Sequence, residues 1–153
     1  MKIAIGADHA GFELKEKLRE MLEEDDYEVM DVGAHELEPG DDYPIYAAQV
    51  GRMVSQGEAE RGILVCDSGI GVDIVANKFP GVRSALVHDE ELASLTRLHN
   101  DSNVLCLGAI FVDEAEAECI TQIWLKTDFS HGERHQRRIE EIEELEKRCP
   151  GTV

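Results

Sequence analysis

Apolar, β-rich runs recur along the chain at Lys2–Gly6, Glu28–Val32, Gly62–Cys66, Arg83–Val87 and Asn103–Leu107, with segments of helical spacing between them. In the first of these segments Phe12, Leu14, Leu18, Met21 and Leu22 fall on one face and charges on the other. Tyr43 to Met53, Gly71 to Lys78, Asp89 to Leu98 and Glu114 to Leu125 behave similarly. Strands apolar on both faces and alternating with helices predict a parallel sheet covered on both sides. The expected fold class is therefore α/β, an open, doubly wound five-stranded sheet in a single domain spanning residues 1–153. A further helix, Glu133 to Arg148, follows the fifth strand's own helix and carries a narrow stripe of Ile139, Ile142 and Leu145. Such a stripe packs on its own domain or on a partner subunit, and periodicity does not choose between them.

Composition narrows the class. A chain of 153 residues with 42% hydrophobic content suits one domain with a proper core. No apolar run reaches membrane-spanning length, and MKIAIGADHAGF reads at once as a first strand, so a cytoplasmic location is expected. The four cysteines (Cys66, Cys106, Cys119 and Cys149) show neither CxxC nor metal spacing, which fits reduced thiols. A formal net charge of −18 argues against nucleic acid and anionic membranes, whose phosphates need a basic footprint. An anionic substrate would have to be held by local cations.

Ligands of doubly wound sheets bind beyond the carboxyl ends of the strands. The residues expected near that rim are Asp8 and His9 after the first strand, and the turn Asp41-Asp42-Tyr43-Pro44 after the second. Cys66, Asp67, Ser68, Gly69 and Gly71 follow the third strand and His88 the fourth, whose helix ends in His99-Asn100-Asp101. Cys66 reads either as a buried strand residue or as a base. Loop amides and a helix N-terminus favour a thiolate, which could take a carbon-bound proton while the amides stabilise the enolate oxygen. Ser68 reads as a partner of sulfur or substrate, or as a helix N-cap. His99, near a helix C-terminus, suits a general acid or a plain capping residue. Arg134 and Arg138, one turn apart in HGERHQRR, suit bidentate capture of a phosphate or solvated surface charge. His131 and His135 lack a third ligand, so no metal is expected.

Two other chemistries fit this fold class poorly. GADHAG is not the GxGxxG of a dinucleotide site. A phosphoacceptor domain could use Asp8 and Asp67, but VLCLGAIF offers no lysine after the fifth strand.

GADHAGFELK, DDYPIYA, GILVCDSGIGVDIVANKFPGVRSAL, LTRLHNDSNVLCLGA and GERHQRRIEEIE, in that order and over essentially the whole chain, resemble the type B ribose-5-phosphate isomerases and their galactose-6-phosphate isomerase relatives. The resemblance implies a Rossmann-like homodimer or tetramer with active sites between subunits. It implies no metal or nucleotide cofactor, and an aldose–ketose interconversion of a sugar phosphate through an enediolate. By position, Cys66 resembles the base, Ser68 a Ser or Thr beside it, and His99, from the partner subunit, the ring-opening acid. Asp67, Gly69, Ile70 and Gly71 match the loop that holds the enediolate oxygens. Asp8, His9, Tyr43 and Asn100 match ligand contacts, and Arg134 and Arg138 a phosphate clamp.

Two positions depart from the family pattern. Asp67 stands where glycine is usual, and Ile110 where an arginine commonly helps bind phosphate. Each such charge is worth about 1–4 kcal/mol at an effective dielectric near 20. The expected substrate pair is ribose 5-phosphate and ribulose 5-phosphate. Another four- to six-carbon sugar or sugar phosphate, or a non-catalytic subunit of a heteromeric isomerase, stays open.

Overall fold

The computed structural model describes residues 1–148; Cys149 lies outside them. Five strands, β1 (Lys2–Ala7), β2 (Glu28–Asp31), β3 (Arg61–Cys66), β4 (Ser84–Leu86) and β5 (Val104–Gly108), alternate with helices α1 (Phe12–Glu24), α2 (Tyr43–Ser55), α3 (Ile70–Ala76), α4 (Glu90–Asn100) and α5 (Glu114–Lys126). A sixth helix, α6 (Glu133–Arg148), ends the described chain. All pairings are parallel, in the order β2-β1-β3-β5-β4. The last two strands are exchanged relative to the flavodoxin-like order, which also sets this fold apart from a phosphoacceptor receiver domain.

The period-two rule divides the core into two layers. Ile3, Ile5, Ile63, Val65, Leu105 and Leu107 pack beneath Leu18, Leu22, Ile120 and Trp124 of α1 and α5. The alternate residues Ala4, Leu64, Cys66, Val104 and Cys106 face Val50, Val54, Val72 and Ala76 of α2 and α3. The chain reverses its direction across the sheet between β1 and β3, and there α1 presses close: a Cβ on Gly11 would lie 2.5 Å from the Val65 carbonyl oxygen. The loops after β1 and β3 are thereby brought side by side.

Two sequence expectations need correction. The α1 stripe is rotated: Leu14 is only partly buried, whereas Lys15, Leu18 and Leu22, spaced i, i+3, i+7, are fully buried. Lys15 survives there because its ammonium lies 2.7 Å from Asp31 Oδ2 and donates to the Ala34 carbonyl at 2.8 Å. The strand expected over Arg83–Val87 is three residues long, Ser84–Leu86.

Helix α6 leans on the end of α4, where the rings of His99 and His135 stack at 4.2 Å. Ile139 is buried, but Ile142 and Leu145 remain 40% and 60% exposed, so the stripe is only partly covered by its own domain.

Replacing Lys15 with Ala leaves the Asp31 carboxylate without its buried cation and should cost about 3 kcal/mol. Urea unfolding measures this, and a loss below about 1 kcal/mol would show that Asp31 does not depend on Lys15.

Candidate active site

Cys66 ends β3 and is 4% exposed, its sulfur accepting the Gly69 N–H at 3.2 Å. The turn that makes this possible needs glycine. Gly69 has φ +76°, and a Cβ there would collide with Leu86 Cδ1 and approach the Leu107 carbonyl carbon to 2.9 Å. Gly69, not Ser68, occupies the cap position of α3. The Ser68 hydroxyl instead accepts a long 3.4 Å bond from Ile70 N–H. The next strand's loop clamps the turn, with Ala109 N–H donating to the Cys66 carbonyl at 2.9 Å and Ile110 N–H to that of Asp67 at 3.1 Å. Gly108 allows the approach, since a Cβ on it would sit 2.6 Å from the Ser68 oxygen. Tyr43, at the start of α2, lays its ring on Gly71, whose added Cβ would lie 2.5 Å from Tyr43 Cζ.

On the β1 side Asp8 is buried, and its Oδ1 accepts the Ala10 and Gly11 amides at 3.1 Å each. Burial nevertheless pushes its carboxyl above the usual value. His9 donates its backbone N–H to Asp41 Oδ1 at 2.9 Å and sets ring Nδ1 2.6 Å from the same oxygen. The Asp41 bond, helped by the charges of Asp8 and Asp67, holds the His9 ring above its ordinary pKa. Burial pushes the Asp41 carboxyl up, but the His9 amide and ring outweigh it and the net shift is downward. Asp8, His9 and Asp41 bring one ligand atom each within 4.8 Å of one another, the one such group among the described residues. Its donors are largely engaged with one another and with backbone amides.

A cavity of about 330 Å³ opens beside the loop, lined by Ser68, Ile70, Leu86, Val87, His88, Gly108 and Phe111. A larger cleft of about 610 Å³, between the start of α1 and Ile110, is lined by no cysteine, serine or histidine. Asp67 is exposed at the mouth, and Ile110 and Phe111 are 63% and 61% exposed beside it.

Asp8, His9, Tyr43, Cys66, Asp67, Ser68, Gly69, Ile70 and Gly71 thus share the carboxyl edge. His99 and Asn100 do not. A crossover helix runs antiparallel to the strands it joins, so the end of α4 lies at the amino edge. There Arg83 Nε donates to the Asn100 carbonyl at 3.0 Å, and Gly62 N–H, at the start of β3, donates to Asn103. The two edges stand a strand apart, roughly 16 Å. Arg134 and Arg138 begin α6 beside His99, both exposed, and no ion pair holds either among the described residues. Burial first, then repulsion from His99, Arg134 and Arg138, pushes the His135 ring below its usual pKa.

A family model described as Ribose/Galactose Isomerase matches residues 3–142. The chain belongs to the ribose/galactose isomerase family. Ribose-5-phosphate isomerase B of Escherichia coli is 44% identical over 147 residues, covering 96% of this chain and 97% of the relative. The Clostridium thermocellum ribose-5-phosphate isomerase B structure superposes with a TM-score of 0.93 at 42% identity, over 97% of this chain and 99% of that one. A Mycoplasma genitalium ribose-5-phosphate isomerase B solved with bound ribulose 5-phosphate gives 0.92 at 41%, over 95% and 96%. Among the described residues, no helix of this family member is long and apolar enough to cross a membrane. Sequence reading assigned no role to Asp41, although the turn DDYP pointed to the right loop.

Gly69→Ala forces a side chain into an unfavourable backbone conformation and into Leu86, so stability should fall by about 2 kcal/mol or more. Urea unfolding of the variant tests this, and an unchanged midpoint would mean that the turn can relax.

Proposed function

We propose that this chain is an aldose–ketose isomerase that interconverts ribose 5-phosphate and ribulose 5-phosphate, with Cys66 as the base. The thiolate takes the proton from C2 of the open-chain aldose, an enediolate forms, its hydroxyl proton passes from O2 to O1, and the same sulfur returns the carbon-bound proton to C1. Amides of the Asp67–Gly71 loop receive the charge that develops on the enediolate oxygens. Asp8, His9 and Tyr43 line the substrate, and Ser68 hydrogen-bonds near the sulfur.

The observation that carries this reading is Cys66 at the end of the central strand, its sulfur held by the Gly69 N–H at 3.2 Å behind a loop whose Ser68 and Ile70 line an open cavity. The relatives' names supply the substrate class. A chain with His99, Asn100, Arg134 and Arg138 at the edge remote from its own Cys66 needs a second copy to complete the site. A homodimer, or a tetramer built as a dimer of dimers, meets that need with His99 as ring-opening acid and the arginines as phosphate clamp. The half-exposed stripe of α6 gives such a pairing an apolar surface to cover.

Mixing makes the composite site testable. Cys66→Ala and His99→Asn should each be nearly inactive on ribose 5-phosphate. Unfolded together and refolded, they should recover about a quarter of wild-type activity, because half the dimers then hold one intact site. No recovery would sink the shared site, and full activity of Cys66→Ala would sink the cysteine base. The exposed carboxylate of Asp67 and the apolar Ile110 also favour a second reading, in which a different four- to six-carbon sugar or sugar phosphate is preferred. Comparison of kcat/KM across those substrates decides between the two.

A further inference from the structure

The loop between β2 and α2 enters the site through one side chain. Asp41 is 7% exposed, and one of its oxygens takes both the backbone N–H of His9, at 2.9 Å, and ring Nδ1, at 2.6 Å. A single acceptor gripping amide and ring together leaves the imidazole little rotational freedom. It also assigns the tautomer: Nδ1 carries the proton it gives to Asp41, and Nε2 is the ring's remaining nitrogen. Among the described residues Nε2 has no hydrogen-bond partner, and the side chain is 37% exposed, open to a ligand.

We propose that Asp41 is a positioning residue: it fixes His9 as an imidazolium whose Nε2–H receives the anionic end of the substrate. This rests on the sugar-phosphate reading above. The chemistry follows from charge. Ile110, exposed on the loop after β5, offers an anion nothing, and the formal charge of the chain is −18. A neutral histidine would present a lone pair at Nε2 and repel a phosphate oxygen, whereas the imidazolium presents a donor and a positive charge. Three carboxylates face the ring from three different loops, Asp8 after β1, Asp41 after β2 and Asp67 after β3, and each favours its charged form. Asp41 is itself faced by Tyr46 of α2 and by Asp8, and Tyr46 in turn by Glu38. Of these groups Asp41 alone touches the ring.

The sign of the pH effect is fixed by that contact. A raised midpoint keeps His9 charged to higher pH, so Asp41→Asn should let the ring lose its proton earlier as pH rises. NMR titration of the His9 ring in the ligand-free protein should show a midpoint about one pH unit lower in the variant. Halfway between the two midpoints KM for ribose 5-phosphate should be about threefold higher in the variant, approaching tenfold above both, with kcat within about twofold, and the difference should close at lower pH. Sulfate, whose charge is constant across this range, should bind about threefold more weakly midway between the midpoints and approach tenfold above both. An unchanged midpoint, or equal losses of kcat at every pH, overturns the proposal.

Should Asp41→Asn fail to fold, the wild-type ring decides through its nitrogen shifts. Nδ1 must stay protonated while Nε2 titrates, and the reverse overturns the proposal. Should the wild-type protein not turn over ribose 5-phosphate, the sulfate affinities separate the two ideas. Weaker binding in the variant upholds Asp41 while the proposed reaction falls, and equal affinities remove both.

Discussion

The turn after β3 is the constraint on which the rest of the site depends. Its conformation is held from three sides: by the left-handed Gly69 wedged against Leu86 and Leu107, by Gly108 beneath Ser68, and by two amides from the loop after β5. Nothing in that arrangement is a contact to substrate, yet all of it determines where the Cys66 sulfur lies and where the loop amides aim. Preorganisation of this kind costs stability at the turn, and burial of β1, β3 and β5 on both faces supplies the offset. The apolar strands and the glycine-rich loop between β3 and α3 are thus parts of one device.

The same topology keeps the end of α4 apart from the carboxyl-edge loops of its own chain. Parallel strands send every crossover helix back to the amino edge, so residues at helix C-termini cannot reach the loops at the carboxyl edge of their own sheet. His99 and Asn100 belong to the first group and Cys66 to the second. Helix α6 gathers Arg134 and His135 beside His99, concentrating cationic and titratable groups far from Cys66. In the composite site proposed above, this cluster supplies positive charge to the carboxyl edge of a second copy.

Strand pattern, layer count and the cysteine-glycine turn after β3 were legible because each rests on local signals: period-two apolar runs, glycine spacing, and a cysteine ending a buried strand. What the sequence hid is non-local. Lys15 sits at i−3 and i−7 from Leu18 and Leu22 and so lies on the buried stripe, but only the fold brings Asp31 across to satisfy it. The carboxyl-edge expectation wrongly included the end of α4, because a motif read along the chain ignores the return direction of the helix that bears it. Asp41 was invisible for a related reason, since its partner His9 lies 32 positions away.

Net charge and local charge then have to be reconciled. A chain at −18 should repel a sugar phosphate, yet at physiological ionic strength the field of distant carboxylates fades over a Debye length of about 8 Å. Within that radius what matters is which charges are fixed and which are neutralised. Asp8 gives one oxygen to two backbone amides, and one oxygen of Asp41 is taken by the amide and ring of His9, so both carboxylates are partly offset. Asp67 is the carboxylate left exposed at the mouth. Its repulsion falls on whatever enters, but the same charge also favours the imidazolium opposite it. An acidic protein can therefore hold an anion by using buried carboxylates to keep a cation charged.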